Sequence, residues 1–497
     1  MEAFRRGDDL VLQAGAGTGK TTTLTMLGAA SRWQGRYLAF NRSIAREAQR
    51  RFLGNVVCST AHSLAFKAVG HRFQDRMARP RMATAKVAQL MGIDLTVTIG
   101  QRTLKAVTLC SIAKDTVMRY CYSADEVITR RHVPWPKGIT DEHEHGQLAE
   151  IVLPYAERIW LDLQSPDKGK MPFKHDHYLK MWALTRPRIH GEFLLLDEAQ
   201  DTNPAIEQVF LAQGRHAQLV MVGDSAQAIY GWRGARDVMT GFAGSQLALS
   251  HSFRFGAPIA AEANRWLAIV NAPIRLTGSP AVTSRLDTVP DPDAILCRTN
   301  GGAIAEILTL LAAGRRVAMA GRAEELRNLA EAARDLQAGR RTTHRELLLF
   351  STWGEVQDYV EWDTEGRDLL PFVDVIDEHG VDVVLETLSK LTTEAEAEVT
   401  VATAHASKGR EWPAVRIAGD FPEPVDQENT TPSGEPLPGE IEPAEARLAY
   451  VAVSRAQHRL DLGGLSWINQ HPHGNPARNT PEESRKHPAA SRSRADT

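Results

Sequence analysis

The sequence predicts an α/β fold in which parallel strands alternate with helices, and three observations support this prediction. Short apolar runs typical of buried parallel strands end in acidic or glycine-containing turns, or before a threonine, at residues 193–196, 219–222 and 399–402. Segments with the apolar spacing of a helix lie at 44–52 and 304–311. Near the beginning of the chain, an apolar run leads through a glycine-rich loop into a helix-like segment. This alternation is the pattern of α/β domains.

Length and composition exclude several classes of protein. The chain has 497 residues, of which 43% are hydrophobic, enough for roughly three domains of about 150 residues each and too apolar for a disordered chain. No run approaches the ~18 apolar residues of a membrane-spanning helix, and the first nine residues carry charges where a secretion signal would be apolar. Four cysteines form no disulfide framework. We therefore expect a soluble protein of the reducing cytoplasm.

The distribution of charge is uneven along the chain. The net charge is only −3, from 58 Lys+Arg and 61 Asp+Glu. Residues 1–190 hold 29 basic and 17 acidic side chains, a balance of +12, so the remainder holds 29 and 44, a balance of −15. A basic front half is compatible with a polyanionic partner such as nucleic acid and equally with a solvated basic surface.

A glycine-rich loop at residues 14–21 predicts an ATP site. It follows the apolar run 10–12 and precedes a helix-like segment, which is the setting of a phosphate-binding loop. Backbone N–H groups of such a loop converge on phosphate oxygens, Lys20 adds a positive charge near the β- and γ-phosphates, and the Thr21 hydroxyl suits Mg²⁺. An alanine occupies the usual position of the first glycine. The predicted nucleotide-binding residues here are Ala14, Gly15, Ala16, Gly17, Thr18, Gly19, Lys20, Thr21 and Thr22.

An acidic turn directly after the apolar run 193–196 supplies the second part of this site. Asp197 can hold Mg²⁺ through water, and Glu198 can polarise the water that attacks the γ-phosphate. Because an acidic turn also suits a plain helix N-terminus, this assignment depends on the pairing with the phosphate-binding loop. Together the two motifs predict ATP hydrolysis, with ATP and Mg²⁺ as cofactors and with Thr21 and Asp197 at the metal.

Two segments interrupt the alternation of strands and helices. Residues 71–188 are rich in Arg, Lys and His and are predicted to form an inserted, mainly helical subdomain. Residues 322–398 are acidic, with 14 acidic and 2 basic side chains from 354 to 398, and are a poor candidate for gripping a phosphate backbone. The Pro- and Ser-rich segment 466–497 is predicted to be a disordered tail.

The histidines of the first insertion could be considered as zinc ligands, but their spacing does not support a zinc site. Neither they nor Cys110 and Cys121 show the paired spacing of zinc ligands. A solvated, His-rich subdomain is the favoured interpretation of these residues.

The motifs and their order resemble the superfamily 1 UvrD/Rep-type DNA helicases over residues 10–465. After the acidic turn 197–201, the resemblance is carried by segments at 223–234, 252–254, 403–412 and 450–456, and upstream of it by segments at 39–43 and 59–63. The amino-acid sequences of several of these segments are most similar to the F-box DNA helicase branch, although the chain contains no F-box.

The resemblance implies two RecA-like lobes, each a parallel sheet flanked by helices with an inserted, mainly helical subdomain, and ATP in the cleft between them. The implied boundaries are 1–70 and 189–250 for the first lobe with its insertion at 71–188, then 251–321 and 399–465 for the second lobe with its short acidic insertion at 322–398, and finally the tail at 466–497.

The resemblance also implies catalytic roles. Gln227 would sense the γ-phosphate, and Arg254 and Arg455 would act as arginine fingers, since guanidinium groups neutralise the charge that develops during phosphoryl transfer. Phe253 would stack on the adenine, and Glu411 would bond the ribose or the closing lobe. The implied catalytic set is Lys20, Asp197, Glu198, Gln227, Arg254 and Arg455.

Further motif residues mark an implied DNA path. Single-strand binding uses aromatic faces beside cationic groups, each stacked base contributing about 1–3 kcal/mol. Core packing is the alternative for the aromatic side chains. The expected partners are single-stranded DNA and single/double-strand junctions, with a recombinase or replication protein as a further partner and no membrane. The candidate DNA-binding residues are Phe40, His62, Tyr230, Trp232, Arg233 and His405.

The expected function is an ATP-dependent DNA helicase that moves 3′→5′ on single-stranded DNA, in repair, recombination or replication. Two alternatives stay open: a translocase that strips recombinase filaments with little unwinding, and a non-motor ATP-binding regulatory module. An RNA substrate is also open, because no feature reads the 2′-hydroxyl. The family's adenine-reading motif is missing before the phosphate-binding loop, so either adenine selectivity is relaxed or the natural start lies upstream of Met1.

Overall fold

The structure is a computed structural model that divides into two compact units. The first unit comprises residues 1–14 and 19–249 with the described part of 322–390, and the second comprises 15–18, 250–321 and 391–474. The residues that the structure describes are 1–79, 82, 84–100, 102–136, 139, 141–229, 237–321, 323–344, 346–348, 350–362, 369–430 and 436–474.

Strands and helices alternate through both units. The strands are β1 Leu10–Ala14, β2 Gly35–Ala39, β3 Val56–Thr60, β4 Val97–Ile99, β5 Arg102–Leu104, β6 Phe193–Leu196, β7 Gln218–Gly223, β8 Ser245–Leu249, β9 Arg285–Leu286, β10 Ala294–Cys297, β11 Val317–Met319, β12 Val399–Thr403, β13 Trp412–Ile417, β14 Val425–Thr430, β15 Pro436–Pro438 and β16 Ala456–Asp461. The helices are α1 Glu2–Arg6, α2 Lys20–Ala29, α3 Arg42–Arg51, α4 Ala61–Ala68, α5 Gln74–Met77, α6 Thr84–Leu90, α7 Ala106–Tyr122, α8 Glu142–Leu163, α9 His175–Leu184, α10 Pro204–Leu211, α11 Ala257–Ile269, α12 Asn300–Ala312, α13 Ala323–Gln337, α14 Trp353–Trp362, α15 Leu370–His379, α16 Val381–Ser389 and α17 Pro443–Val453.

The first unit is built on a six-stranded sheet in the order β3-β2-β6-β7-β1-β8, and every pairing in it is parallel. Its central strands are buried on both faces, because successive side chains point to opposite sides of the sheet. Leu10 and Leu12 of β1 pack into one apolar cluster, while Val11 between them packs into another. This two-sided burial explains the continuous apolar runs in the sequence.

The segment 71–188 is mainly helical, as expected, and α7 and α8 pack against each other at its centre. It also contains a short antiparallel hairpin of β4 and β5. The expectation of a solvated histidine surface is wrong for His132, His145 and His177, which are buried. Burial lowers the pKa of His132 to about 4 and that of His177 to about 3, so these rings pack as neutral core groups. Among the described residues, no group of three or more His, Cys, Asp or Glu side chains is arranged to hold a metal ion.

The second unit contains another six-stranded parallel sheet, in the order β11-β12-β10-β13-β16-β9. The two sheets confirm the predicted α/β class with two RecA-like lobes. Residues 466–474 fold as part of this unit and correct the predicted start of a disordered tail. Short 3₁₀ turns cover 463–469 and 472–474, Ile468 is buried, and the Trp467 indole donates to the Phe421 carbonyl at 3.1 Å.

The acidic segment 322–398 lies between β11 and β12 in the chain, and its described part forms the four helices α13 to α16. Through residue 390 this segment groups with the first unit. Within the described ranges no helix combines the length and the apolar character that a bilayer crossing requires.

Candidate nucleotide and nucleic-acid site

Most predicted site residues of the first unit lie at one edge of its sheet. Because all six strands are parallel, their carboxyl ends meet at the same edge, which is where α/β proteins bind ligands. The phosphate-binding loop follows β1, and Phe40 follows β2. His62 is the second residue of α4, the helix that follows β3. Asp197 follows β6, and Asp224 follows β7. The topology therefore brings together motifs that are up to 210 residues apart in the chain.

The phosphate-binding loop has the backbone that its glycines permit. Gly17 and Gly19 adopt left-handed conformations, with φ of 72° and 78°, where a side chain would be strained. The Thr18 hydroxyl donates to the Gly15 carbonyl at 2.9 Å and closes the loop. Lys20 is the first residue of α2, and this helix begins without a side-chain cap. A helix N-terminus of this kind is suited to phosphate.

Asp197 is buried and held by three groups. Its Oδ2 accepts hydrogen bonds from the Tyr37 hydroxyl at 2.5 Å and from the Thr21 hydroxyl at 3.2 Å, and its Oδ1 accepts from the Glu198 N–H at 2.9 Å. Burial, followed by repulsion from the Glu198 carboxylate, raises the pKa of Asp197 to about 6. A buried carboxylate of this kind is unfavourable without a cation.

These oxygens form a donor set that fits Mg²⁺. The metal prefers oxygen ligands, takes one or two carboxylates and keeps several waters. Thr21 and Asp197 supply a hydroxyl and a carboxylate within 3.2 Å of each other. The destabilised charge of Asp197 gives a physical reason for a cation here, so the residues present fit the group.

Glu198 occupies an unusual backbone conformation, with φ of 52° and ψ of 46°. The left-handed region costs a non-glycine residue on the order of 1–3 kcal/mol, and such outliers concentrate at functional sites. Downstream, Gln227 is buried beside Asp224 and donates to its Oδ2 at 2.7 Å. The predicted water-polarising residue and the predicted γ-phosphate sensor thus both belong to the first unit.

The second unit gathers the predicted arginines and Glu411. Arg254 Nε donates to Glu411 Oε2 at 2.5 Å, and its Nη1 donates to the Ser454 carbonyl at 2.8 Å. Arg455 is almost completely buried and donates from Nη2 to the Ser454 hydroxyl at 2.8 Å. Phe253 is 65% exposed, so its ring is accessible for stacking. Ser454 therefore contacts both guanidinium groups.

The structure places three of the six candidate DNA-binding residues. Phe40 is 47% exposed at the end of β2. His62 Nε2 lies 3.2 Å from Asp176 Oδ1, at the start of α9. His405 is half-buried in the turn after β12 of the second unit. Tyr230, Trp232 and Arg233 lie outside the described residues.

Comparisons with known proteins identify the family. A family model of the UvrD/REP helicase N-terminal domain matches residues 2–240, and a model of the UvrD-like helicase C-terminal domain matches residues 304–467. The chain belongs to the UvrD/Rep helicase family. Members of this family are DNA helicases that hydrolyse ATP.

Individual relatives agree with this assignment. F-box DNA helicase protein 1 of Schizosaccharomyces pombe is 29% identical, over 92% of this chain and 55% of the relative. F-box DNA helicase 1 of Gallus gallus is 26% identical, over 92% of this chain and 47% of the relative. The ATP-dependent DNA helicase Rep of Escherichia coli is 53% identical over a segment of 45 residues. The chain spans about half the length of the two F-box relatives.

Within this helicase fold, the structure reveals partners that the motifs did not. Tyr37 lies in the strand before Phe40 and reaches Asp197, a residue 160 positions away. Arg51 ends α3 and donates to the Thr22 hydroxyl at 2.7 Å. Neither residue carries a sequence signal of its own: Tyr37 reads as a core aromatic and Arg51 as one arginine of a basic helix.

Proposed function

We propose that this chain is an ATP-driven DNA helicase that moves 3′→5′ along single-stranded DNA and unwinds duplex. One observation carries the proposal. A pocket of about 200 Å³ at the carboxyl edge of the first sheet is lined by Asp197 from the nucleotide motifs and by Phe40 and His62 from the DNA motifs. Residues proposed to bind ATP and residues proposed to bind DNA therefore line the same cavity. ATP hydrolysis and DNA binding can be coupled over this short distance.

The residues of the phosphate-binding loop and of the first unit divide the chemistry among them. Lys20 and the loop N–H groups bind and orient the β- and γ-phosphates, and Glu198 polarises the attacking water. Thr21 and Asp197 would hold Mg²⁺, which would neutralise charge on the phosphate oxygens. Gln227 contacts the γ-phosphate. These groups act by position and charge, as phosphoryl transfer requires.

The second unit supplies the remaining proposed groups. Arg254 and Arg455 neutralise the charge that develops during transfer, Phe253 stacks on the adenine, and Glu411 orients Arg254 through their ion pair. ATP hydrolysis and product release then cause the two lobes to bind successive bases in alternation. The 3′→5′ direction rests on the family resemblance.

The proposal is tested by ATP hydrolysis of the purified chain with and without single-stranded DNA. We expect strong stimulation by DNA, lost in Lys20→Ala. Unwinding is measured with 3′-tailed and 5′-tailed duplexes, of which only the 3′-tailed substrate should be opened. ATP binding without stimulation would instead favour the non-motor regulatory module, and stimulation by RNA equal to that by DNA would identify an RNA substrate.

The proposed DNA path includes Phe40, His62 and His405 together with Tyr230, Trp232 and Arg233. Phe40→Ala removes one stacking face and should weaken single-strand affinity about tenfold, since a stacked base contributes about 1–3 kcal/mol. Trp33→Ala is the matched control, because Trp33 is a similarly exposed aromatic residue that precedes β2 rather than following it. Equal losses in both variants would place the path elsewhere.

The acidic helices favour a second candidate, a translocase that strips recombinase filaments and unwinds poorly. Residues 354–398 hold 14 acidic and 2 basic side chains. Glu378, Asp382 and Glu386 on α15 and α16 expose most of their side chains although each lies near a basic or histidine side chain, and a surface of this net negative charge repels a phosphate backbone. An insertion of this charge gives little grip on a duplex ahead of the motor. Filament removal that is fast while strand displacement on the 3′-tailed duplex is slow would identify this activity, with a role in repair, recombination or replication.

A further inference from the structure

Gln200 is a fully buried side chain with no role in the functions described above. It lies two residues after Glu198, in the short 3₁₀ turn that follows β6. Its Nε2 donates to Glu198 Oε2 at 2.6 Å, and its Oε1 accepts from the Asp224 N–H at 3.0 Å. One amide group therefore joins the loop after β6 to the loop after β7.

Asp224 continues this connection towards Gln227. Its N–H binds Gln200, its Oδ2 accepts from Gln227 Nε2 at 2.7 Å, and its Oδ1 accepts from the Ala226 N–H at 3.2 Å. Asp224 and Gln227 are both buried. The result is an unbroken series of hydrogen bonds within the first unit, from the Glu198 carboxylate through Gln200 and Asp224 to the Gln227 amide.

The surroundings of Gln200 leave its amide group little room for another orientation. A Cβ atom added to Gly223 would lie 2.3 Å from Gln200 Oε1, so glycine at the end of β7 is required for the amide to approach the backbone. At the other end, Glu198 is held in its left-handed conformation while its N–H donates to Asp197. A buried amide that must donate on one side and accept on the other has one orientation.

We propose that Gln200 is a positioning residue that fixes Glu198 relative to Gln227, so that the water-polarising carboxylate and the γ-phosphate sensor act as one unit. The inference rests on the proposed function, because it takes from it the roles of Glu198 and Gln227. Gln200 itself touches neither nucleotide nor water in this scheme. It acts through the two residues that it connects.

The first test is the kinetics of Gln200→Leu in the full chain with single-stranded DNA. Leucine has a similar size and removes both hydrogen bonds. We expect kcat to fall about tenfold to a hundredfold and KM for ATP to rise up to about tenfold, because a misplaced sensor also weakens its contact with the γ-phosphate of bound ATP, while the DNA concentration for half-maximal stimulation changes by less than about threefold. Unchanged kcat overturns the proposal.

A matched control separates positioning from general stability. Gln213 is also buried and makes three hydrogen bonds, with the Ile189 N–H and the carbonyls of Pro187 and Val209. It precedes β7 and is therefore at the opposite end of that strand from Asp224. Gln213→Leu should lower the thermal midpoint and leave kcat per folded molecule unchanged. An equal loss of kcat in both variants would make Gln200 merely structural.

A double-mutant cycle with Gln227→Ala tests whether the two residues act together. If Gln200 works by placing the sensor, Gln200→Leu should cost much less in a Gln227→Ala background than in the parent. Fully multiplicative losses would show that Gln200 and Gln227 act independently and would overturn the proposed unit.

A binding measurement distinguishes a failure of the positioning role from a failure of the proposed function. The affinities for ATP and ADP are compared by equilibrium titration in the presence of Mg²⁺, and Gln200→Leu should reduce the preference for ATP about tenfold. A parent chain that prefers ATP but does not hydrolyse it refutes the proposed function, while a reduced preference in the variant still supports the positioning role. An unaltered preference in the variant, or none in the parent, refutes the positioning role.

Gln200→Glu adds a sharper variant. The glutamate keeps an oxygen that can accept from the Asp224 N–H and replaces the donor facing Glu198 with a second carboxylate. Like charges at that distance repel, so kcat should fall at least as far as in Gln200→Leu. Full activity of Gln200→Glu would show that the donated hydrogen bond to Glu198 is unimportant.

Discussion

Two strand-to-helix passages, one in each sheet, share the order strand, loop, helix and differ in their chemistry. In the first sheet, β1 leads through the phosphate-binding loop into α2, and this helix begins without a side-chain cap. In the second unit, β10 leads into α12, and the Thr299 hydroxyl caps the helix by accepting from the Gly302 N–H at 2.9 Å. Both helices begin at the carboxyl edge of a parallel sheet, so both present their positive end there.

The second passage is already occupied by a carboxylate. Asp420 accepts from the Arg298 N–H at 2.9 Å and from the Thr299 N–H and hydroxyl, both at 2.8 Å. A Cβ atom on Gly302 would lie 2.1 Å from Asp420 Oδ2, so the carboxylate fits closely against the helix. A protein anion thus stands where the first unit is built to bind phosphate. The fold supplies the position in both sheets, and individual residues decide what binds.

The strongest test of this comparison is Lys20→Ala in the first passage. Loss of the cation that faces the β- and γ-phosphates should reduce kcat/KM for ATP by about a hundredfold or more, equivalent to about 2.7 kcal/mol. Arg298→Ala is the control, since Arg298 is the basic residue of the second passage and pairs with Glu445. Comparable losses in the two variants would mean that the passages are not functionally distinct.

Asp420→Ala tests the occupied passage. It strands the N–H groups of Arg298 and Thr299, and hydrogen bonds to a charged group contribute about 1.5–3 kcal/mol each. We expect the free energy of unfolding, measured with urea, to fall by roughly 3–6 kcal/mol for the two N–H groups, with inorganic phosphate stabilising the variant more than the parent. A variant as stable as the parent would show that the carboxylate does not hold the helix.

Asp197→Asn tests the electrostatics of the first passage. The pKa of Asp197 is raised to about 6 against 3.8 for the free side chain, so without Mg²⁺ the folded state holds the proton more tightly than the unfolded state. This contribution to stability is present below about pH 4 and is lost as pH rises through 6. The thermal midpoint of Asp197→Asn should therefore exceed that of the parent by a few degrees at pH 7 and match it near pH 4.

Mg²⁺ with nucleotide provides the check on that result. Binding favours the ionised carboxylate, so adding both ligands should stabilise the parent and not Asp197→Asn. A difference in midpoint that does not change with pH would contradict the raised pKa.

Tyr37→Phe should have the smallest of these effects. It removes one hydrogen bond to the proposed metal ligand, and loss of such an outer partner raises the Mg²⁺ concentration for half-maximal ATPase by about tenfold. Tyr120→Phe is matched to it, because Tyr120 is a buried tyrosine whose hydroxyl donates to the Glu126 carbonyl at 2.8 Å within the helical insertion. An equal Mg²⁺ requirement for Tyr37→Phe and parent would limit the role of Tyr37 to packing.

The sequence by itself determined the parts that local spacing encodes. The order of Gly15, Gly17 and Gly19 before Lys20 predicted the phosphate-binding loop, and the apolar run before Asp197 predicted the second acidic motif. These signals are readable because a strand, a turn and a helix start need only neighbouring residues. The parallel α/β class followed from the same alternation, and both sheets confirm it.

Tertiary structure alone decided which distant residues meet. Tyr37 contacts Asp197, Gln200 reaches the backbone of Asp224, and Asp420 fills a helix terminus more than a hundred residues before it. It also buried His132, which the sequence indicated to be solvated. Each of these outcomes depends on strand order and on how closely side chains pack, and neither quantity is carried by the spacing of residues along the chain. The motifs therefore predicted the candidate reacting groups, and the sheet order determined the neighbours that contact them.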